Sequence, residues 1–216
     1  MDLQYLLLLQ KFREATGGAP NDFFVQISDL SYGVFIWILA CILYWAADKK
    51  TGSYLFLNIA VNRFLIQLLK LTFCVYRPWI RSADIVPVET ASGYSFPSGH
   101  SVTASSNYGT VLARYGKRHR GLGAFMIVML LLTMFSRNYI GVHTPQDVAV
   151  GAALGLAVVC LGMRAWAWAD EKPGREKIIP IAGVALTALF LVYISLKSYP
   201  PWTMTKRASC WWTRPR

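Results

Sequence analysis

The sequence offers no cysteine pattern on which to build a fold. Of its four cysteines, Cys41, Cys74 and Cys160 fall inside apolar runs and Cys210 lies in the tail. That spacing provides neither a disulfide framework nor a zinc site. Charge is scarce as well: 15% of the 216 residues are charged, and Asp and Glu together number 11. The acidic residues form no cluster of the kind that holds magnesium. The two halves of the chain show no repeat of the sort that builds alternating-access transporters. A net charge of +11 would suggest nucleic acid in a soluble protein, but no nucleic-acid-binding module is present.

What is abundant is apolar surface. Hydrophobic residues make up 55% of the chain and mean hydropathy is +0.37, above the range of ordinary soluble domains. The apolar stretches run approximately over 30–47, 54–76, 101–115, 122–135, 148–169 and 178–196. At 1.5 Å per residue, several can cross about 30 Å of hydrocarbon. The third and fourth are short or semi-polar and gain length from their flanks. The expected fold is therefore all-α: one membrane-embedded domain over 1–216, a polytopic bundle of about six transmembrane helices.

The first sixteen residues read as a short interfacial helix. Leu3, Leu6, Leu7 and Phe12 alternate with Gln4, Gln10, Lys11 and Arg13, as in helices that lie along a membrane surface. Asp2 stands where a secretory signal would be basic, so the segment reads as retained. Gly17-Gly18-Ala19-Pro20 then breaks the chain. At the other end, residues 197–216 carry Pro200-Pro201-Trp202 and Cys210-Trp211-Trp212 among basic residues, a composition that suits either a membrane-surface anchor or disorder.

The basic residues fill alternate loops: Lys49 and Lys50; then Arg114, Lys117, Arg118 and Arg120; then Lys172, Arg175 and Lys177. The positive-inside tendency makes these three loops cytoplasmic. The loops carrying His100 and His143, with both termini, then face out of the cytoplasm, and the cations of the tail run against the pattern.

Three polar stations interrupt the apolar pattern. The first is a stripe down the second span, in which Arg63, Gln67, Lys70, Cys74 and Arg77 recur at spacings of three and four. Ionisable groups inside a span usually face a bundle interior, and Pro78 marks the helix end. Lys70 or Arg77 taken singly fits equally well as a cation snorkelling to the head groups. The deeper Arg63 fits a buried structural pair or a water-lined pocket better than direct catalysis. Between Pro78 and Pro97 lies a polar loop with Arg81, Asp84, Glu89 and Tyr94, either a rim over a site or a plain connection.

The second station, Phe96-Pro97-Ser98-Gly99-His100-Ser101, opens the third span. Ser98 or Ser101 can cap the helix, Gly99 permits close backbone approach, and the free N–H groups of the helix start favour an anion. By itself this is also what an N-cap beside an unrelated histidine looks like. Thr103, Ser105, Ser106 and Asn107 make the span polar enough to belong inside the bundle.

The third station is Ser136-Arg137, five residues, His143, three residues and Asp147. Pro145 suits the first turn of a helix. There His143 and Asp147 would lie four apart, with the carboxylate holding one ring nitrogen and the other facing outward. Arg137 adds a planar cation suited to phosphate oxygens. Beyond it, Gly151 and Gly155 form a small-xxx-small packing pair.

Taken together, Lys70 with Arg77-Pro78, Pro97-Ser98-Gly99-His100, and Ser136-Arg137 with His143 and Asp147 resemble the three-part signature of the type 2 phosphatidic acid phosphatase superfamily. The resemblance covers about half the chain and points to the family's membrane lipid phosphatases; the loop between the first two motifs is short. It implies that His143 attacks phosphorus to form a phosphohistidine, oriented by Asp147. His100 would protonate the leaving oxygen and later activate water, while Lys70, Arg77, Ser98, Gly99 and Arg137 hold the phosphoryl oxygens. No metal or other cofactor is implied. The expected partners are the bilayer and a phospholipid or polyprenyl phosphate or diphosphate, such as undecaprenyl diphosphate, phosphatidate, phosphatidylglycerol phosphate or a lipid A phosphate, met at the extracytoplasmic face of the cell membrane. Transfer of phosphate to an acceptor other than water shares the same intermediate, and a transporter with a charged passage is the rival from another class.

Overall fold

The computed structural model describes residues 2–198 and is helical, with no strand among them. The helices are α1 (Asp2–Ala15), α2 (Asn21–Leu30), α3 (Val34–Ile42), α4 (Lys49–Phe73), α5 (Pro78–Arg81), α6 (Gly99–Tyr115), α7 (Arg120–Tyr139), α8 (Pro145–Asp170) and α9 (Ile178–Leu196). A π-helical turn, Leu43–Ala47, extends α3, and a 3-10 turn, Arg175–Lys177, precedes α9.

By length and composition, α7, α8 and α9, together with the stretch that runs from α4 through α5, are long and apolar enough to cross a membrane. The bent pair formed by α2 and the α3 extension makes a fifth if it is one span. The expected third span is α6, whose 17 residues are buried almost throughout from Gly99 to Val111. Its Ser101, Thr103, Ser105, Ser106 and Asn107 face protein on every side. It packs against α4, α7 and α8, which explains why so polar a helix occupies the centre. Asn58 and Asn62 of α4 reach it through Thr110 Oγ1 at 2.7 Å and Ser106 Oγ at 2.5 Å, giving its hydroxyls partners away from water.

The helices α6 and α8 approach each other closely. A Cβ on Gly151 would stand 2.8 Å from Ser98 O, and one on Gly155 would stand 2.4 Å from Val102 O. The small-xxx-small pair therefore lets two backbones touch, and it draws the starts of α6 and α8 together. A backbone bond from Ser98 N–H to Asp147 O, 3.0 Å, joins those starts directly.

Helix ends follow local rules. Asp48 caps α4 through Thr51 N–H, and α4 stops at Cys74, which has left-handed backbone (φ 51°). Ser98 caps α6. Thr144 caps α8 in a reciprocal box with Asp147, with Pro145 in the first turn. Opposite the site, Lys50 pairs with Asp170 and Arg114 with Asp48, so the basic turns gather at one end of the bundle. The three motifs gather at the other.

The amino-terminal helix does more than lie alongside. α1 packs on α7 with Leu6, Leu9 and Arg13 buried. The buried guanidinium of Arg13 donates to Tyr139 O and Val86 O, both at 2.6 Å. The helix thus ties the end of α7 to the loop that follows α5. α9 buries no residue. The tail from 199 onward, with the Trp-rich segment expected to be an anchor or disordered, lies outside the described residues.

Candidate active site

His143 sits in the turn between α7 and α8 and is 1% exposed. Its Nε2 lies 3.0 Å from Arg77 Nη1. A guanidinium can only donate, so Nε2 carries the lone pair and the ring proton sits on Nδ1. On that side are Ser95 Oγ at 3.4 Å and Asp147 Oδ2 at 3.6 Å. The same Oδ2 accepts Ser95 O–H at 2.6 Å and Thr144 N–H at 2.9 Å.

The expected four-residue relation between His143 and Asp147 is present, but the carboxylate lies beyond ordinary hydrogen-bond length. Ser95 touches both partners. Burial, with Arg77, Arg137 and Lys70 as neighbouring positive charges, lowers the His143 imidazole well below its ordinary value. The ring is therefore neutral at pH 7, with its free electron pair directed at Arg77.

Those cations are held by backbone as much as by helix position. Arg77, 3% exposed, donates from Nε to Gly93 O at 3.0 Å, from Nη2 to Ser92 O at 2.9 Å and from Nη1 to Val142 O at 3.1 Å. Lys70 Nζ donates to Tyr94 O at 2.6 Å. The loop between α5 and α6 thus contributes carbonyls that aim the cations, a role its charged side chains had not suggested. Arg137, 4% exposed, donates from Nη1 to Ser28 Oγ at 2.5 Å, while its buried Nε has no hydrogen-bond partner among the described residues. An unsatisfied buried donor is costly, and an anionic oxygen would satisfy it.

The second motif approaches from α6. Ser98 is fully buried, and its Oγ accepts from Ser101 N–H at 3.4 Å and Ser101 O–H at 2.9 Å, which leaves its own hydroxyl proton for another acceptor. His100 stacks on Tyr32, with ring centroids 4.3 Å apart and planes inclined by 24°. It lies in electrostatic reach of Lys70, Arg77, Arg137 and His143. A Cβ on Gly99 would meet nothing closer than 3.6 Å, so packing alone does not require glycine there.

All eight residues singled out from the sequence, Lys70, Arg77, Ser98, Gly99, His100, Arg137, His143 and Asp147, come to this one end of the bundle. Arg63, expected in a buried structural pair or a water-lined pocket, is instead exposed and engages Tyr32. Ser95, Ser28 and Tyr32 went unremarked in the sequence, because single serines and a tyrosine carry no spacing signal, and Arg13 was read only as part of the polar face of the interfacial helix. Among the described residues, no group of three or more His, Cys, Asp or Glu is placed to hold a metal ion. The cluster is a neutral imidazole against Arg77 with Arg137, Lys70 and a helix start nearby, a combination suited to a phosphoryl group.

The PAP2 superfamily model matches residues 51–171. Over 124 residues the chain is 31% identical to an undecaprenyl-diphosphatase of Sulfolobus acidocaldarius, covering 56% of this chain and 59% of that one. Over 122 residues it is 32% identical to phosphatidylglycerophosphatase B of Bacillus subtilis, covering 52% and 58% respectively. These matched regions span a little under three-fifths of the length of the two curated relatives. The crystal structure of Aquifex aeolicus LpxE superposes with a TM-score of 0.63 at 27% identity, covering 74% of this chain and 94% of that one.

Proposed function

Because the chain belongs to the PAP2 superfamily, we propose that it is an integral-membrane lipid phosphatase that works through a phosphohistidine on His143. One observation carries the reading: the buried neutral imidazole presents its Nε2 lone pair to Arg77 inside a set of three cations.

The reaction runs as two displacements. When a lipid phosphate enters, Arg77 Nη1 turns its hydrogen bond from Nε2 to a phosphoryl oxygen while its carbonyl partners keep the guanidinium aimed. Nε2 attacks phosphorus, a P–N bond forms and the bond to the leaving oxygen breaks. His100 gives that oxygen a proton. His100 then takes a proton from water, the resulting hydroxide attacks phosphorus, and phosphate and free His143 are released. Asp147, with Ser95, holds the Nδ1 proton and steadies the positive ring as it forms. Lys70, Arg77, Arg137, the Ser98 hydroxyl and the Gly99 N–H bind the phosphoryl oxygens as charge builds. Arg137 Nε, which has no hydrogen-bond partner among the described residues, suits one of them.

In this reading the chain is one membrane-embedded unit. α6 crosses inside the bundle as a sixth span beside α4, α7, α8, α9 and the bent α2–α3 pair, and α1 lies at the interface. The site opens on the extracytoplasmic face, a sidedness supported by the basic turns clustering at the opposite end. The substrate is a lipid phosphate or diphosphate: undecaprenyl diphosphate first, then phosphatidate or phosphatidylglycerol phosphate, then lipid A phosphates. The relatives' names support that class. The cations of the three motifs converge on one cluster around His143 instead of lining a passage, which favours an enzyme over a transporter.

Purified protein assayed for phosphate release against this lipid panel tests the reading. Release from at least one lipid, inhibition by vanadate and indifference to a chelator are expected. No release from any of them, or activity abolished by the chelator, overturns it. Label appearing on an added alcohol in place of water identifies a phosphotransferase instead.

A further inference from the structure

Arg63 is a cation that the chemistry above leaves unused. It lies seven residues before Lys70 on α4, hence on the same face, about 10 Å toward the basic end of the bundle. Its side chain is exposed, and among the described residues no carboxylate pairs with it. An unpaired guanidinium on a membrane-crossing helix is expensive and ordinarily marks a functional position.

Its one hydrogen bond among the described residues runs from Nη1 to Tyr32 Oη, and its Cζ stands 4.2 Å from the Tyr32 ring centroid. That ring stacks in turn on His100, 4.3 Å away, and lies against the backbone of the second motif, 3.6 Å from a Cβ built on Gly99. The order Arg63, Tyr32, His100 therefore places a free cation beyond the histidine that serves the leaving oxygen. Along α4 it lies farther from the motif end than Lys70 and Arg77.

We propose that Arg63, held by Tyr32, is a specificity-determining residue that binds the second, retained phosphate of a lipid diphosphate. This deepens the phosphatase reading and rests on it. A lipid monophosphate releases a neutral alcohol once His100 has protonated the leaving oxygen, and it gives Arg63 nothing to bind. A diphosphate differs. His143 Nε2 bonds to the terminal phosphorus, the bridging P–O bond breaks, and the bridging oxygen keeps the electron pair and takes a proton from His100. It leaves as part of a lipid monophosphate that still carries negative charge. A guanidinium there stabilises that charge in the transition state and in the product. With one N–H on Tyr32 Oη, the remaining donors of the fork are free to take phosphate oxygens.

The test compares the purified full-length protein with Arg63→Gln, Arg63→Lys and Tyr32→Phe on a polyprenyl diphosphate and on the monophosphate of the same polyprenol, in one detergent. The wild type is expected to prefer the diphosphate. Arg63→Gln should lower the diphosphate-to-monophosphate ratio of kcat/KM by about 10- to 100-fold. Arg63→Lys should restore part of the ratio, and Tyr32→Phe, which keeps the ring stack, should lower it less than Arg63→Gln. Inhibition by a methylene-bridged diphosphate analogue should weaken in the same order. A ratio unchanged within about twofold in a folded Arg63→Gln, or a wild type that hydrolyses only monophosphates, overturns the proposal and leaves the phosphatase reading standing. A wild type inactive on every lipid phosphate removes both. Should Arg63→Gln fail to fold, Arg63→Lys and Tyr32→Phe decide by the same ratio.

Discussion

Arg77 Nη1 stands 3.0 Å from His143 Nε2 while its other bonds go to the carbonyls of Ser92, Gly93 and Val142. One cation thus connects the loop before α6, the turn before α8 and the nucleophilic nitrogen. On the proposed mechanism, His143→Ala lowers turnover by about 10⁴-fold or more while the helical content in detergent stays at the wild-type level. Arg77→Lys keeps the charge but cannot reproduce four bonds donated from three separate nitrogens. It should lose about 10²- to 10³-fold in kcat/KM. Phosphate release and circular dichroism check both; an active His143→Ala ends the mechanism.

The direction of the His143 shift sets a pH dependence. Its folded value lies below the ordinary value of about 6.5, so the ring remains a nucleophile as pH falls through that value. The acid limb of kcat/KM that belongs to His143 should therefore lie below pH 6.5. The same shift makes the unfolded chain bind more protons than the folded one below about pH 6.5, so stability falls as pH drops into that range. Melting temperature measured against pH should show the fall, and His143→Gln should flatten it.

Ser95 offers a test of positioning. Its hydroxyl bonds to Asp147 at 2.6 Å and lies 3.4 Å from His143 Nδ1. Ser95→Ala removes that link without touching the cations. kcat should fall by about tenfold with KM nearly unchanged, and the acid limb should move. Ser95→Thr, which keeps the hydroxyl, should recover much of the loss. An equal effect of both variants on melting temperature, with no change in the pH profile, would make the residue merely structural.

Two glycine positions predict opposite outcomes. Gly155→Ala puts a methyl group 2.4 Å from Val102 O, and backbone cannot yield as a side-chain tip does. It should cost about 1–3 kcal/mol, seen as a lower melting temperature, and reduce activity by parting α6 from α8. Gly99→Ala meets nothing nearer than 3.6 Å. It should fold normally, so any loss of activity there reports on how closely a phosphate approaches the helix start.

Much of this protein was legible from one dimension, for reasons that are local. Apolar runs marked α4, α7, α8 and α9; Ser98 and Pro145 announced helix starts; and the polarity of α6 placed it inside. Spacing brought His143 and Asp147 to adjacent turns, and Gly151 with Gly155 foretold that α8 packs closely on another helix. These are properties of a helix and its immediate neighbours, which periodicity and capping rules encode.

What folding alone decided involves partners far apart in the chain or contacts made by backbone. Nothing in the order of residues says that Ser95 would stand between His143 and Asp147, or that the carbonyls of Ser92, Gly93 and Tyr94 would aim Arg77 and Lys70. Nor does it say that Arg13 would brace Tyr139 and Val86, or that Arg63 would face Tyr32 in place of a carboxylate. A carbonyl is the same in every residue, and a single serine or tyrosine has no period. Such contacts become specific only when packing brings the helices together.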